Sequence, residues 1–512
     1  MRVMKEHNID PVPDREFDAL KLYGEPDLNK KAVLKQKYPA RAHARKVVDE
    51  LRAAGANNVD KGFIYLPGEV TTHYENSDMG PKFRQRRYFF YMTGVDLPDC
   101  AVTYDIARQN LILWIPFVEP RQAMWYGSFP SPGKAASMFD VDDVRLQRDL
   151  CKYLESQCDS STTIFALNRN QQPIMTDTGR DHPRFDRSAL QPAMDRARVI
   201  KDEYEIALIR RANDISSRAH LEVMKNLLKM RNEQEVEATF TALSIAQGAH
   251  SQAYDIIAGA GANAATLHYD ANNEPLKGKD LIVVDAGCEF RCYASDVTRT
   301  LPISGEFTRE SEVIYDIVRE MQERVLAAVV PGEEFAYLHV MAADIAVDGL
   351  MNVGILVGDR NEIIDSRVVT AFFPHGLGHH VGLECHDVSG DERLLFASSS
   401  KRTERSKREM ITPMELKDIG VGCFSREHQV LRPGMIVTVE PGIYFNRDYI
   451  EGYFLCRPEF APFFDKEVLE KYYSVGGVRI EDDILVTEKG FENLTTAPKG
   501  KDMLDVINGR GK

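Results

Sequence analysis

The chain has few of the residues that mark specialised protein classes. Its eight cysteines in 512 residues show neither zinc-ribbon spacing nor a small disulfide framework, so reduced thiols are expected. Thirty-four glycines and 24 prolines are too few for a fibrous or low-complexity chain. No stretch approaches the roughly 18 consecutive apolar residues of a membrane helix, and no membrane association is expected. The opening MRVMKEHNIDPVPDREF has no apolar centre of the signal-peptide kind, which leads to the expectation of a cytoplasmic protein. Positive charge is also short, with 64 Lys and Arg against 78 Asp and Glu and a formal charge of −14. Such a balance repels phosphate backbones, so nucleic acid is not an expected partner.

What is present, 43% hydrophobic and 28% charged residues, suits a globular chain of two to four domains at about 100–200 residues each. Residues 1–198 read as an α/β unit. Ala42–Ala54 carries Val47, Val48 and Leu51 on one helical stripe and stops at Gly55. Short apolar runs at Gly62–Leu66, Arg87–Thr93, Ala101–Asp105, Leu111–Phe117 and Thr163–Leu167 are strand candidates. A helical pattern covers Val144–Gln157, and the charged, proline-containing stretch Asp181–Arg198 reads as a domain connection. A long amphipathic helix is predicted over Asp202–Met230 and a second over Gln234–Gln247. Beyond them, helices and strands mix to about residue 495 in an α+β manner, leaving 496–512 as a tail. The basic run within Ser398–Glu409, SSSKRTERSKRE, is expected to be a solvated loop.

The chemistry-bearing residues sit at the ends of apolar runs. Asp285 ends LIVVD and Asp296 follows eleven positions later in CYASDVTRT. Antiparallel pairing about the 290–291 midpoint would set the two opposite each other, with Cβ atoms roughly 5 Å apart. Like charges that close require a proton or a cation between them, unless both are solvated turn residues. The segment FFPHGLGHHVGLECHD holds His375, His379, His380 and His386 among glycines that allow close backbone approach. In MIVTVEPG, Glu440 shares a face with Ile436 and Thr438. In VRIEDD, Arg479, Glu481 and Asp483 share one face. Glutamate fits an apolar β run poorly. Burying Asp285, Asp296, Glu440 and Glu481 together as anions would cost several kcal/mol per ion. Two divalent cations balance four carboxylates, and an oxygen-rich set with one imidazole suits Mn²⁺, with Co²⁺ or Zn²⁺ as alternatives. Such a pair polarises carbonyls and activates water, which is hydrolytic chemistry.

These motifs are the ones by which the sequence resembles the pita-bread metallopeptidases, in the prolidase and aminopeptidase P branch. FRQRRYFFYMTGV (Phe83–Val95) is similar to part of that branch's N-terminal domain, and RVIKDEYEIALIRRAN (Arg198–Asn213) to its junction helix. The resemblance implies an α+β pita-bread catalytic domain over 199–495, preceded by a smaller α/β creatinase/prolidase-type domain over 1–198. It implies a ligand set of Asp285, Asp296, His379, Glu440 and Glu481. Asp296 and Glu481 would bridge two cations, and Glu440 would also carry the proton. It further implies that His268 lies by the prolyl ring and that His386 stabilises the tetrahedral intermediate. His375, Tyr444 and Arg479 would surround the ligands, and Arg426 would meet the substrate. The expected activity is release of the N-terminal residue preceding a penultimate proline, from peptide substrates, by a homodimer. A strict Xaa-Pro dipeptidase is the near alternative, and a metal-free partner-binding module the distant one. The segment between Phe445 and Val475 resembles a prolidase insertion, which pulls toward dipeptides.

Overall fold

The computed structural model describes residues 32–175, 182–395, 410–422 and 428–510. In the first part of the chain, helix α1 (Ala40–Ala53) buries Val47, Val48 and Leu51 along one stripe. Strands β1 (Gly62–Pro67), β2 (Ala101–Asp105), β3 (Asn110–Ile115), β4 (Asp143–Leu146), β5 (Thr163–Phe165) and β6 (Arg184–Asp186) form one sheet in the order β4-β3-β2-β1-β5-β6. The β1–β2 and β2–β3 pairs are antiparallel and the others parallel.

Three expectations change here. Arg87–Thr93 is a helix, with six of its seven residues buried, rather than a strand. A short run that is apolar on all sides carries no period by which helix and strand could be told apart. Val144–Gln157 splits into β4 and a shorter helix, Leu150–Gln157. Asp181–Arg198 is not a bare connection, because it contains β6 and helix α2 (Leu190–Val199). Pro192 falls in the first turn of α2, where a missing N–H costs no intrahelical bond.

The second part opens with helix α3 (Glu203–Asn226). Asp202 accepts from the amides of Tyr204 and Glu205, and the Glu205 side chain returns to the Asp202 amide as a capping box. Helix α4 spans Glu233–Ala246. A three-stranded sheet joins β7 (Ile257–Ala260), β8 (Leu281–Asp285) and β9 (Thr298–Pro302), with β8 in the centre. Strands β10 (Ile436–Val439), β12 (Asp482–Thr487) and β13 (Gly490–Asn493) make another sheet; between them in the chain lies β11 (Gly477–Arg479), which pairs with Gly442–Tyr444. Single bridges, Thr298 to Glu481 and His380 to Val437, tie the pieces together. Buried apolar side chains of β7, β8, β10 and β12 pack with those of the flanking helices in one core.

The aspartate pairing differs from the one expected. Asp285 lies opposite Thr298, not Asp296, because the turn at Arg291–Cys292 takes two left-handed residues and moves the register by two. The stretch set apart as a tail holds helix α5 (Gly500–Ile507), with Met503 and Ile507 buried. Among the described residues no helix is long and apolar enough to cross a membrane.

Candidate metal centre

Strand ends bring the acids together. Asp285 closes β8, Asp296 precedes β9, Glu440 follows β10, and Glu481 stands between β11 and β12. One oxygen each from Asp285, Asp296 and Glu481 lies within 4.8 Å of the others; a second set, His379, Glu440 and Glu481, meets the same limit. Glu481 belongs to both sets. It is 1% exposed, and Asp296 and Asp285 are 5% and 9% exposed. Thr298 Oγ1 donates to Glu481 Oε2 at 2.6 Å.

Neighbouring side chains fix these oxygens. Tyr254 Oη is 2.6 Å from Oδ1 of Asp285 and 2.6 Å from Oδ1 of Asp296, although one hydroxyl has only one proton to donate. Arg479 Nη2 donates to Asp285 Oδ2 at 2.6 Å, and its Nη1 to the Tyr444 oxygen at 2.8 Å. The Tyr444 hydroxyl in turn donates to His375 Nε2 at 2.8 Å, so the other ring nitrogen donates to the Gly376 carbonyl at 2.8 Å. Cys385 Sγ lies 2.8 Å from Asp296 Oδ2. Asp483 accepts from the Asp296 amide at 2.9 Å and from Asn213 at 2.7 Å.

The histidines separate by their partners. His380 gives Nε2 to Gln429 at 2.6 Å, and His375 is committed to Tyr444. His379 donates from Nδ1 to the His380 carbonyl at 3.1 Å, which leaves Nε2 facing Asp296 Oδ2 at 3.4 Å and Glu440 Oε1 at 3.5 Å. A ring held through one nitrogen to a carbonyl, with the other nitrogen toward carboxylates, is the usual arrangement of a metal-binding histidine. Gly378 makes this approach feasible, since a Cβ there would stand 2.1 Å from the Thr438 carbonyl oxygen. The His386 ring lies 4.0 Å from that of His379.

The electrostatics of the cluster call for cations. Burial and the neighbouring carboxylates push Glu481 well above the ordinary range. Burial raises Glu440 to about 7, and it raises Asp285 as well, against the pull of Arg479. Asp296 moves the other way: burial opposes it, but the His379 hydrogen bond and charge hold it low. His379 rises to about 9 because Asp296 and Glu440 outweigh its desolvation. His375 falls to about 3 through burial and Arg479, so it is neutral. Three acids driven toward protonation beside an imidazole driven toward protonation form a set that divalent cations relieve. The donor chemistry fits them.

Of the outer residues, His268 is exposed and close enough to His375 to lower its basicity. Arg426 and the basic segment 398–409 lie outside the described residues. A recess of about 250 Å³ beside Tyr444 is lined by Ala265, Thr266, Leu267, Ala371, Pro374, Met410, Asn446 and Tyr449. Tyr254, Cys385 and Asn213 were not singled out by the sequence motifs. Cys385 stands inside the histidine motif and was legible there, whereas Tyr254 has no local signal.

The same reading follows from comparison with known proteins. Residues 207–488 match the model of metallopeptidase family M24, and residues 42–165 match the aminopeptidase P N-terminal domain. The chain is 49% identical over 533 positions to a probable Xaa-Pro aminopeptidase of Colletotrichum graminicola, covering 100% of both. It is 51% identical to one of Metarhizium acridum, covering 98% of this chain and 99% of the relative. Among solved structures, Zn-substituted aminopeptidase P of E. coli in complex with product aligns with TM-score 0.71 and 25% identity, over 93% of this chain and 100% of that one. Aminopeptidase PepP of Pseudomonas aeruginosa aligns at 0.72 and 27%, over 93% and 99%. A strand-end carboxylate cluster within this two-part architecture is that of a metal-dependent peptidase. The chain belongs to metallopeptidase family M24.

Proposed function

We propose that the protein is a metal-dependent exopeptidase that hydrolyses Xaa-Pro bonds and releases the N-terminal residue before a penultimate proline. The carrying observation is that Asp285, Asp296 and Glu481, and His379, Glu440 and Glu481, form two groups of possible ligands that share Glu481, in a chain whose full-length relatives are named Xaa-Pro aminopeptidases. These five residues would hold two divalent cations, with Mn²⁺ as the first choice and Co²⁺ or Zn²⁺ as alternatives. When bound, the cations supply Lewis acidity toward the scissile carbonyl and toward the attacking water.

The chain's own residues supply the rest. Glu440, a carboxylate at the edge of the cluster facing His379, would take the water's proton and return it to the leaving prolyl nitrogen. An Xaa-Pro bond has no N–H and a fixed φ, so strand-addition recognition of the substrate fails, and shape must replace it. The neutral His375, with Tyr444 and the recess beside it, faces the prolyl side, and His268 closes it. His386, its ring 4.0 Å from that of His379 and tilted by 46°, meets the developing negative charge on the carbonyl oxygen. Arg426 is assigned to the substrate's own polar end. The division near residue 198 separates this machinery from the smaller N-terminal unit. Exposed Met124 and Trp125, at 86% and 82%, support a homodimer, which light scattering would measure. A cytoplasmic location is part of this proposal, and imaging of a tagged chain would check it.

Strict dipeptidase action is favoured by one observation: Asn446 and Tyr449, from the segment after Phe445, line the recess beside Tyr444, where they would limit the length of a bound peptide. The Mn²⁺-loaded protein should be assayed on Gly-Pro, a Gly-Pro-led tripeptide and a longer Gly-Pro-led peptide. Release of glycine from the two longer peptides supports the aminopeptidase reading; cleavage of Gly-Pro alone replaces it with the dipeptidase; no cleavage of any removes both.

A further inference from the structure

The loop that carries His386 is tied to the segment joining the two parts of the chain by a buried ion triad. Asp387 Oδ1 accepts from Arg198 Nη2 at 2.6 Å and Oδ2 from Lys201 Nζ at 3.1 Å. All three side chains are 1–2% exposed. Arg198 lies in the last turn of α2, its guanidinium carbon 4.9 Å from the centre of the Tyr88 ring, and the Lys201 amide donates to the Gly434 carbonyl at 2.8 Å. Both cations are therefore held by backbone and packing before they meet the carboxylate.

Asp387 is also the closing residue of the loop. Its amide donates to the His380 carbonyl at 2.8 Å, while the Ala294 amide reaches the Gly382 carbonyl at 2.8 Å. Gly382 must be glycine, because a Cβ there would lie 2.1 Å from Asp387 Oδ2 and 3.1 Å from Lys201 Cε. The carboxylate thus fills the inside of a turn running from His380 to Asp387, with His386 as the last residue before closure. By contrast, His379 is fixed by β10, through its amide to Thr438 Oγ1 at 3.0 Å and its carbonyl to the Thr438 amide at 2.9 Å. The four carboxylate ligands stand at strand ends and the His379 backbone is held by β10; the turn's one link to a ligand is the His380 carbonyl, which accepts from both the Asp387 amide and His379 Nδ1, and substitutions of the triad side chains leave that backbone link in place.

We propose that Arg198, Lys201 and Asp387 are positioning residues that fix His386 against His379 and over the scissile carbonyl, so the junction between the two parts takes part in setting turnover. A buried ion triad contributes little net stability compared with apolar packing of the same volume; a role in orientation accounts for its retention here. The inference rests on the role given to His386 above.

Full-length protein, loaded with Mn²⁺ and assayed on a Gly-Pro-led tripeptide, tests it. Arg198→Met and Asp387→Asn should lower kcat about 10–100-fold, the range for groups that orient a functional side chain. KM and Mn²⁺ affinity should stay within about threefold of wild type, because the ligands keep their own supports. Arg198→Lys, which restores a cation at Asp387 Oδ1, should recover most of the lost kcat. A purely structural role predicts a different pattern: lower Tm and less folded, metal-loaded protein, but unchanged kcat for each loaded centre. That pattern overturns the inference. If Asp387→Asn does not fold, the Arg198→Met and Arg198→Lys pair decides by the same criterion. If the wild type cleaves Gly-Pro but not the tripeptide, the same variants are compared on Gly-Pro by the same criterion. Wild-type protein inert on both would overturn the peptidase reading and this inference together; an active wild type with undiminished variants overturns this inference alone.

Discussion

His379 Nε2 stands 3.4 Å from Oδ2 of Asp296, each group presenting to the other an atom that accepts rather than donates when both are in their metal-binding forms. A cation resolves that contact, and so does a proton on the imidazole. Replacement of Asp296 by Asn removes one candidate ligand oxygen and the negative charge. Asp296→Asn should lose metal stoichiometry and Xaa-Pro cleavage together, the rate falling more than the roughly 100-fold typical of changes one layer further out. Metal analysis and a peptide assay on the same sample check it; full turnover with one or no ions would sink the two-cation reading.

Proton and cation compete for this cluster, and the sign of the competition is set by two groups. In the ion-free protein Glu440 keeps its proton up to about 7 and His379 up to about 9, both above their unfolded values. Each favours the ion-free fold at low pH and loses that contribution as pH rises through its folded value. Cation binding needs Glu440 ionised and His379 neutral, so affinity should rise with pH across this window, with protons released. Calorimetry in two buffers of different ionisation enthalpy should register that release near neutrality. The Tm gained on adding Mn²⁺ should be larger at about pH 8 than at about pH 6.

Tyr444 links His375 to Arg479, and Arg479 holds Asp285. Tyr444→Phe keeps the ring and deletes the link. It should lower kcat by about 10–100-fold while the ligands stay in place, so metal content measured alongside should be unchanged.

Arg299 lies 1% exposed behind the cluster. It donates to Asp482 Oδ1 at 2.7 Å, to the Glu481 carbonyl at 2.7 Å and to the Ala497 carbonyl at 2.7 Å. Lys499 Nζ adds a second cation 2.7 Å from Asp482 Oδ2. Arg299→Met leaves the Asp482 carboxylate with Lys499 and the Asn493 side-chain amide, at 2.9 Å, and should cost about 3–5 kcal/mol of stability. Truncation before residue 496 removes Lys499 and α5 as well and should be more damaging. Denaturant unfolding measures both.

The parts of this architecture that are legible in the sequence are those with a local cause. The α3 start follows from the Asp202–Glu205 capping box, and the acids at strand ends announce themselves because glutamate in an apolar run has no bland explanation. The alternation of Arg479, Glu481 and Asp483 foretells a shared face, and the structure aims all three at the cluster. What was not legible depends on contacts distant in sequence. The register of β8 on β9 turns on two left-handed residues, Arg291 and Cys292, neither of them glycine or asparagine. Arg87–Thr93 is helical because packing on every side outweighs the β preference of its aromatics. Tyr254 meets Asp285 and Asp296 only through the fold.

The carbonyl of Ala497 and the amine of Lys499 complete the support beneath Glu481, yet Arg299 and Ala497 are 198 positions apart. During synthesis the end of β8 with Asp285 and the approach to β9 with Asp296 therefore wait, unsupported from below, while most of the remaining chain is added. Glu481, the last of the five candidate ligands in the chain, comes shortly before the residues that support it, so the centre can close only when synthesis is almost complete.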